Sequence, residues 1–124
     1  MNTQLSILET ELDGQKGINF YLIYEKAVIA TGRIAYPYEK SAYLKEGFVK
    51  KEYRGRGLWR HLYEIRCQWI IANCPVKSIK LFVSKDNPMK AVYERYGFET
   101  YKIGGKISKT EDGNLWMRNK QLIK

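Results

Sequence analysis

Leu58, Leu62, Ile65, Trp69 and Ala72 recur at intervals of four and three, which draws one apolar stripe along a helix of roughly four turns. Arg60, Glu64 and Arg66 fall off that stripe and read as the polar side. On either side lie stretches with strand composition, Ser41–Val49 (SAYLKEGFV) and Ser78–Ser84 (SIKLFVS). A strand, a helix and a strand in succession within one sheet make a right-handed crossover, so these two strands must run parallel. That single parallel step limits how the rest of the chain can be arranged.

The segments before it are joined differently. Gln4–Leu12 reads as a strand ended by Asp13-Gly14. Ile18–Tyr24 (INFYLIY) reads as a second and Ala27–Tyr36 (AVIATGRIAY) as a third, with Glu25-Lys26 as a tight turn between them and Pro37 closing the third. Strands linked by turns this short are antiparallel neighbours. Gly47 in the fourth strand marks a bulge. Beyond the crossover, Pro75 ends the helix, and Asp86 or Asn87 can cap a short second helix with Pro88 in its first turn and Gly97 at its end. Phe98–Ile107 and Leu115–Leu122 read as a closing antiparallel pair around Thr110–Asn114. The expectation is one α/β domain over residues 1–124. It has a mixed, mostly antiparallel sheet of about six or seven strands and two main helices.

A chain of 124 residues, 44% of them hydrophobic, has enough apolar material for a core without disulfides. No run is long and apolar enough to span a bilayer, and the first residues lack a secretion signal pattern, so a cytoplasmic protein is expected. Cys67 and Cys74, seven apart on or beside one helix, would hold their α-carbons about 10 Å apart, beyond disulfide reach. With His61 as the sole histidine, no metal site is expected. Residues 1–50 carry six Lys or Arg and six Asp or Glu, so the whole net charge of +9 lies in the remainder. Such a half suits an anionic ligand as well as it suits a solvated basic surface.

The positive half begins with Arg54-Gly55-Arg56-Gly57, after a strand and just before the helix. Amides in the first turn of a helix lack internal partners, and the helix dipole adds positive character there. Glycines allow close approach to the backbone. The stretch can therefore cradle a phosphate or pyrophosphate, although it is neither a Walker loop nor the dinucleotide G-x-G-x-x-G pattern. A basic turn capping a surface helix is the plainer alternative.

Three longer stretches carry a family resemblance. "GFVKKEYRGRGLWRHLYE" resembles the acyl-CoA-binding segment of the GNAT N-acetyltransferase superfamily, in which an apolar strand leads through R-x-x-G-x-G/A into an amphipathic helix. "LFVSKDNPMKAVYERYGFE" resembles the family's second segment, and "LWMRNKQL" its usual last strand. The likeness runs from Ile18 to the C-terminus. It implies a GNAT-like sheet whose fourth and fifth strands splay apart, with acetyl-CoA as cosubstrate and no metal. By the same resemblance, the amides of Arg54, Gly55, Arg56, Gly57 and Leu58 would hold the pyrophosphate. Phe48 and Val49 would pair through their backbone with the pantetheine arm. Asn87 would lie near the pantetheine or the acceptor, and Tyr93 would lie near the sulfur and protonate the leaving thiolate. Tyrosine suits that task because it stays protonated at neutral pH. Glu46, near the splay, is the candidate general base, with a water relay or an ordinary solvent-facing glutamate as alternatives.

The chain departs from the family pattern in three places. Trp59 stands where Gly or Ala is usual. The interval from Asn87 to Tyr93 is one residue short, which offers Asp86 as the alternative occupant of the Asn position. The region that supplies two helices beside the acceptor is reduced to a turn around Asp13–Gly17. An acceptor side left open this way suits a protein lysine or N-terminus better than an enclosed small amine, unless a homodimer partner covers it. The expected function is acetyl transfer to an amine, of a small molecule or a protein. The main alternative is a catalytically weak or inactive module of the same fold that binds acyl-CoA or a protein. A nucleic-acid module is a third, less favoured reading.

Overall fold

The computed structural model describes residues 2–38, 40–84, 86–103 and 114–119. Strands β1 (Gln4–Leu12), β2 (Gln15–Tyr24), β3 (Ala27–Tyr38) and β4 (Ser41–Val49) come first. A 3-10 turn at Lys51–Tyr53 leads to helix α1 (Leu58–Asn73). Then follow β5 (Ile79–Ser84), helix α2 (Met89–Arg95), β6 (Glu99–Ile103) and β7 (Asn114–Asn119). The expected turn at Thr110–Asn114 and the outer ends of its two strands fall mostly outside the described residues.

All seven strands form one sheet in the order β1-β2-β3-β4-β5-β7-β6, so the last strand inserts between β5 and β6. The first two antiparallel hairpins follow from their turns. Glu25 and Lys26 both take positive φ, of 49° and 64°, the geometry of a two-residue turn whose twist matches the strands it joins. β1 and β2 are likewise joined directly at Asp13–Gly14, with Leu12 opposite Gln15. The region before β2 therefore contains a turn and no helix.

The parallel step between β4 and β5 is short. Only Ala42↔Ile79 and Tyr43↔Lys80 pair, and beyond them the two strands part. β4 is bent where it leaves: its register with β3 shifts between Thr31↔Phe48 and Arg33↔Lys45, so Glu46 and Gly47 stand opposite Gly32 alone. Such a bulge turns a strand away from its neighbours, which confirms the reading of Gly47.

α1 lies across one face of the sheet. Ile18, Phe20 and Leu22 of β2, Ala30 and Ile34 of β3, and Leu44 of β4 share that face by register. They bury themselves with Leu58, Leu62, Cys67 and Ile70, and Trp69 meets Phe20 edge to face at 6.2 Å. Burying a leucine side chain of this kind contributes about 1.5–3 kcal/mol. The stripe is as expected at Leu58 and Leu62 and half-buried at Ile65 and Trp69, but Ala72 is exposed, Tyr63, Cys67 and Ile70 join the buried side, and one charged residue needs correcting as well. Arg66 is 2% exposed and belongs to the buried side, because it continues the row Leu58, Leu62, Ile70 at intervals of four. Cys67 and Cys74 are buried free thiols.

Candidate acyl-CoA site at the splayed strands

Two cavities meet where β4 leaves β5. The larger, about 630 Å³, is lined by Gly47, Phe48, Val49, Tyr53, the Gly-rich loop and Met89 among others. The smaller, about 200 Å³, lies in the gap between the strands. Gly47, Trp59 and Met89 line both. Leu44 and Lys45 of β4 and Leu81 and Phe82 of β5 all border the smaller cavity. Successive residues of both strands border it, so this cavity lies between the parted strand edges.

The loop at the mouth has the backbone that its glycines make accessible. Gly55 and Gly57 sit at φ 79° and 77°, a left-handed conformation that side chains disfavour. Gly57 is the N-cap of α1, and no side chain caps the helix. The first bond within the helix runs from the amide of His61 to the carbonyl of Gly57 at 3.0 Å. The amides of Leu58, Trp59 and Arg60 precede it and point out of the helix end. A Cβ placed on Gly55 or Gly57 would meet nothing within 4 Å, so both positions face open space. An anionic group fits here: a 16-residue helix offers its uncapped end, and Arg54 and Arg56 lie exposed beside it.

Arg54 has a second part in this loop. Its amide donates to the Lys51 carbonyl at 3.3 Å, and its Nε donates to the Val49 carbonyl at 3.0 Å. It thus ties the loop to the end of β4, and the amides of Gly55, Arg56, Gly57 and Leu58 are the ones without a backbone partner among the described residues. The Arg54 guanidinium lies 5.8 Å above the Phe48 ring. Phe48 is exposed and Val49 buried, and both edge the larger cavity.

Asn87 and Tyr93 both line the smaller cavity. The Asn87 Oδ1 accepts the amide of Met89 at 2.9 Å and so caps α2, whereas Asp86 is exposed. Tyr93 lies one helical turn along, packed edge to face against Trp59 at 5.7 Å and against Phe98 at 5.7 Å. Burial pushes its phenol above the ordinary tyrosine range, although the Arg66 charge pulls the other way. A phenol so placed holds its proton at neutral pH and can only give it up to a base. Tyr96 instead stacks on Tyr63 at 4.7 Å and does not border this cavity. Glu46 is in the bulge of β4; its side chain lies outside what is described.

Two further residues form walls of the site, of which only Arg66 was not singled out by the sequence. Trp59, which stands where Gly or Ala is usual, is half-buried and lines both cavities. It stacks on Tyr63 at 5.6 Å. A Cβ on Gly47 would lie 2.9 Å from its Nε1, so the bare backbone of the bulge makes room for the indole. Arg66 lines the gap beside Tyr93. Its position four residues beyond Leu62 was the signal, masked by the habit of reading charge as a solvent marker. Among the described residues no group of three His, Cys, Asp or Glu side chains could hold a metal. No helix there is long and apolar enough to cross a membrane.

The family model of the acetyltransferase (GNAT) domain matches residues 2–109. The chain belongs to the GNAT family. Membership places it among the acetyl-CoA-dependent N-acetyltransferases and accounts for the splayed parallel pair. No sequence among curated proteins matches the chain. Solved GNAT-fold structures do. The ribosomal-protein-S18-alanine N-acetyltransferase from Escherichia coli superposes with a TM-score of 0.69 at 22% identity, over 83% of this chain and 68% of that one. A spermidine N-acetyltransferase chimera from Vibrio cholerae gives 0.67 at 22%, over 85% and 67%. A Bacillus anthracis protein in complex with acetyl coenzyme A gives 0.69 at 19%, over 84% and 62%. At these identities the likeness concerns the fold.

Proposed function

We propose that this GNAT chain transfers an acetyl group from acetyl-CoA to an exposed primary amine, a protein N-terminus or lysine, by direct attack in a ternary complex. The observation that carries this reading is the junction of the two cavities at Gly47, Trp59 and Met89. One uncapped helix end able to hold a pyrophosphate leads into a gap bordered by Tyr93.

The roles follow from what each group offers. The amides of Gly55, Arg56, Gly57 and Leu58 bind phosphate oxygens, with Arg54 and Arg56 adding charge. Backbone of Phe48 and Val49 orients the pantetheine arm along the unpaired edge of β4. Backbone amides at the bulge polarise the acetyl carbonyl. The incoming nitrogen forms the new bond to carbon as the bond to sulfur breaks. Tyr93 gives its proton to the departing thiolate, and Glu46 or water takes the proton that the amine loses. The protein acceptor is supported by the two-residue turn at Asp13–Gly14, which leaves the sheet next to the gap without flanking helices from this region.

Calorimetric titration with acetyl-CoA tests the reading, beside the double variant Arg54→Ala/Gly57→Glu. Micromolar binding that the variant loses is the expected result. Transfer of label from acetyl-CoA to peptides with free N-termini then separates an enzyme from a binding module. Absence of binding at near-millimolar ligand would mean that Trp59 closes the path.

A further inference from the structure

We propose that Arg66 assists the transfer electrostatically. Its guanidinium fixes positive charge in the floor of the splay, where the sulfur of coenzyme A becomes negative, and it stabilises the departing thiolate. The inference rests on the function proposed above.

Arg66 is 2% exposed, and among the described residues no carboxylate pairs with it. A buried charge is costly unless hydrogen bonds or a counter-charge hold it. Here backbone carbonyls do so. Nε donates to Leu62 at 3.3 Å, and Nη1 donates to Arg33 at 3.4 Å and to Lys45 at 3.2 Å. Arg33 and Lys45 are the cross-strand pair at the edge of the β4 bulge, so one side chain ties helix α1 to the point where β4 bends away.

The fold leaves room for this arginine twice over. A Cβ on Gly32 would come within 2.8 Å of its Nε, and one on Gly47 within 3.4 Å of Nη2. Nη2 makes no hydrogen bond among the described residues, and the side chain borders the smaller cavity with Asn87, Trp59 and Tyr93. Of the described charged and titratable groups there, Lys45 comes from β4, Tyr93 from α2, and Arg66 from α1. Tyr63 and Cys67 stand behind them on α1, both kept neutral by burial. The gap therefore offers an anion formed in it one fixed positive charge and an unused donor, which oppose the burial that keeps Tyr93 and Cys67 protonated. A purely structural arginine would pin the bulge and leave bound thiols unaffected.

The test is the ionisation of the thiol in the binary complex with coenzyme A. Thiolate absorbance is followed from neutral to alkaline pH, and the same titration with desulfo-coenzyme A is subtracted to remove tyrosines and protein thiols. Calorimetry first establishes saturation. In the unsubstituted chain and in Arg66→Lys the bound thiol is expected to titrate about 1–2 pH units below free coenzyme A. In Arg66→Met it is expected at or above the free value. A bound thiol that titrates at or above the free value in the unsubstituted chain overturns the proposal, and that comparison stands even if Arg66→Met does not fold. Equal titration in the unsubstituted chain and Arg66→Met does the same. If coenzyme A does not bind at all, the proposed function falls and this inference with it. Binding with an unshifted thiol removes the inference alone.

Discussion

Gly47 lacks a side chain at the place where the Trp59 indole lies, and the pair makes a measurable prediction. Gly47→Ala puts a methyl carbon 2.9 Å from Trp59 Nε1, and a rigid indole has to shift. We expect a loss of about 1–3 kcal/mol by urea unfolding, most of it recovered when Trp59→Ala is added; additive losses would show that the contact is slack. Tyr93→Phe removes the proposed acid and leaves the ring contacts with Trp59 and Phe98 in place. Turnover, read as thiol release in the presence of an acceptor, should fall by about 10²-fold or more while acetyl-CoA affinity holds. Full activity would exclude Tyr93 as the acid. Burial pushes both the Cys67 and the Cys74 thiols up to about 11. Their folded state thus favours the protonated form. The stability this gives is present below the unfolded thiol range near 9 and is lost as pH rises through about 11. Iodoacetamide at neutral pH should label them slowly in the native chain and fast in urea; equal rates would contradict their burial.

α2 has only seven residues, too few to be stable alone. Its capping residue is Asn87 and its functional candidate is Tyr93, so loss of the cap should reach the site. Asn87→Ala is expected to cost about 1 kcal/mol and to lower turnover with little change in acetyl-CoA affinity; a loss of affinity instead would place Asn87 on the pantetheine. Elements of this kind were readable where local chemistry decides. Glu25-Lys26 and Asp13-Gly14 announced their hairpins, the apolar intervals announced α1, and Asn87-Pro88 announced the start of α2. What was not readable depends on residues distant in sequence. Arg66 sits among apolar neighbours because Gly32 on β3 and Gly47 on β4 leave it space. Trp59 lines both cavities, and the same Gly47 makes room for it. The insertion of β7 between β5 and β6 depends on which edge β5 leaves open, and no local pattern states that.

The molecule as a whole is two antiparallel half-sheets, β1–β4 and β5-β7-β6, held together by the α1 crossover and two register pairs. Beyond Tyr43 and Lys80 the facing edges have no strand between them. On the proposed reading, the pantetheine arm supplies that missing partner, so acetyl-CoA should stabilise the fold strongly. At a hundredfold excess over its dissociation constant the gain is about 2.7 kcal/mol, a rise in Tm of roughly 10 °C by differential scanning fluorimetry. Hydrogen exchange should slow most along Lys45–Val49 and Leu81–Ser84; protection confined to the Gly-rich loop would mean that the ligand stops at the mouth. The short seam then has a consequence for turnover of the protein itself. Proteases act on the opened chain, and a substrate that bridges the seam withdraws the chain from them. On the proposed reading acetyl-CoA completes the sheet, and the chain is expected to resist proteolysis longest where acetyl-CoA is plentiful, its abundance following the supply of acetyl groups.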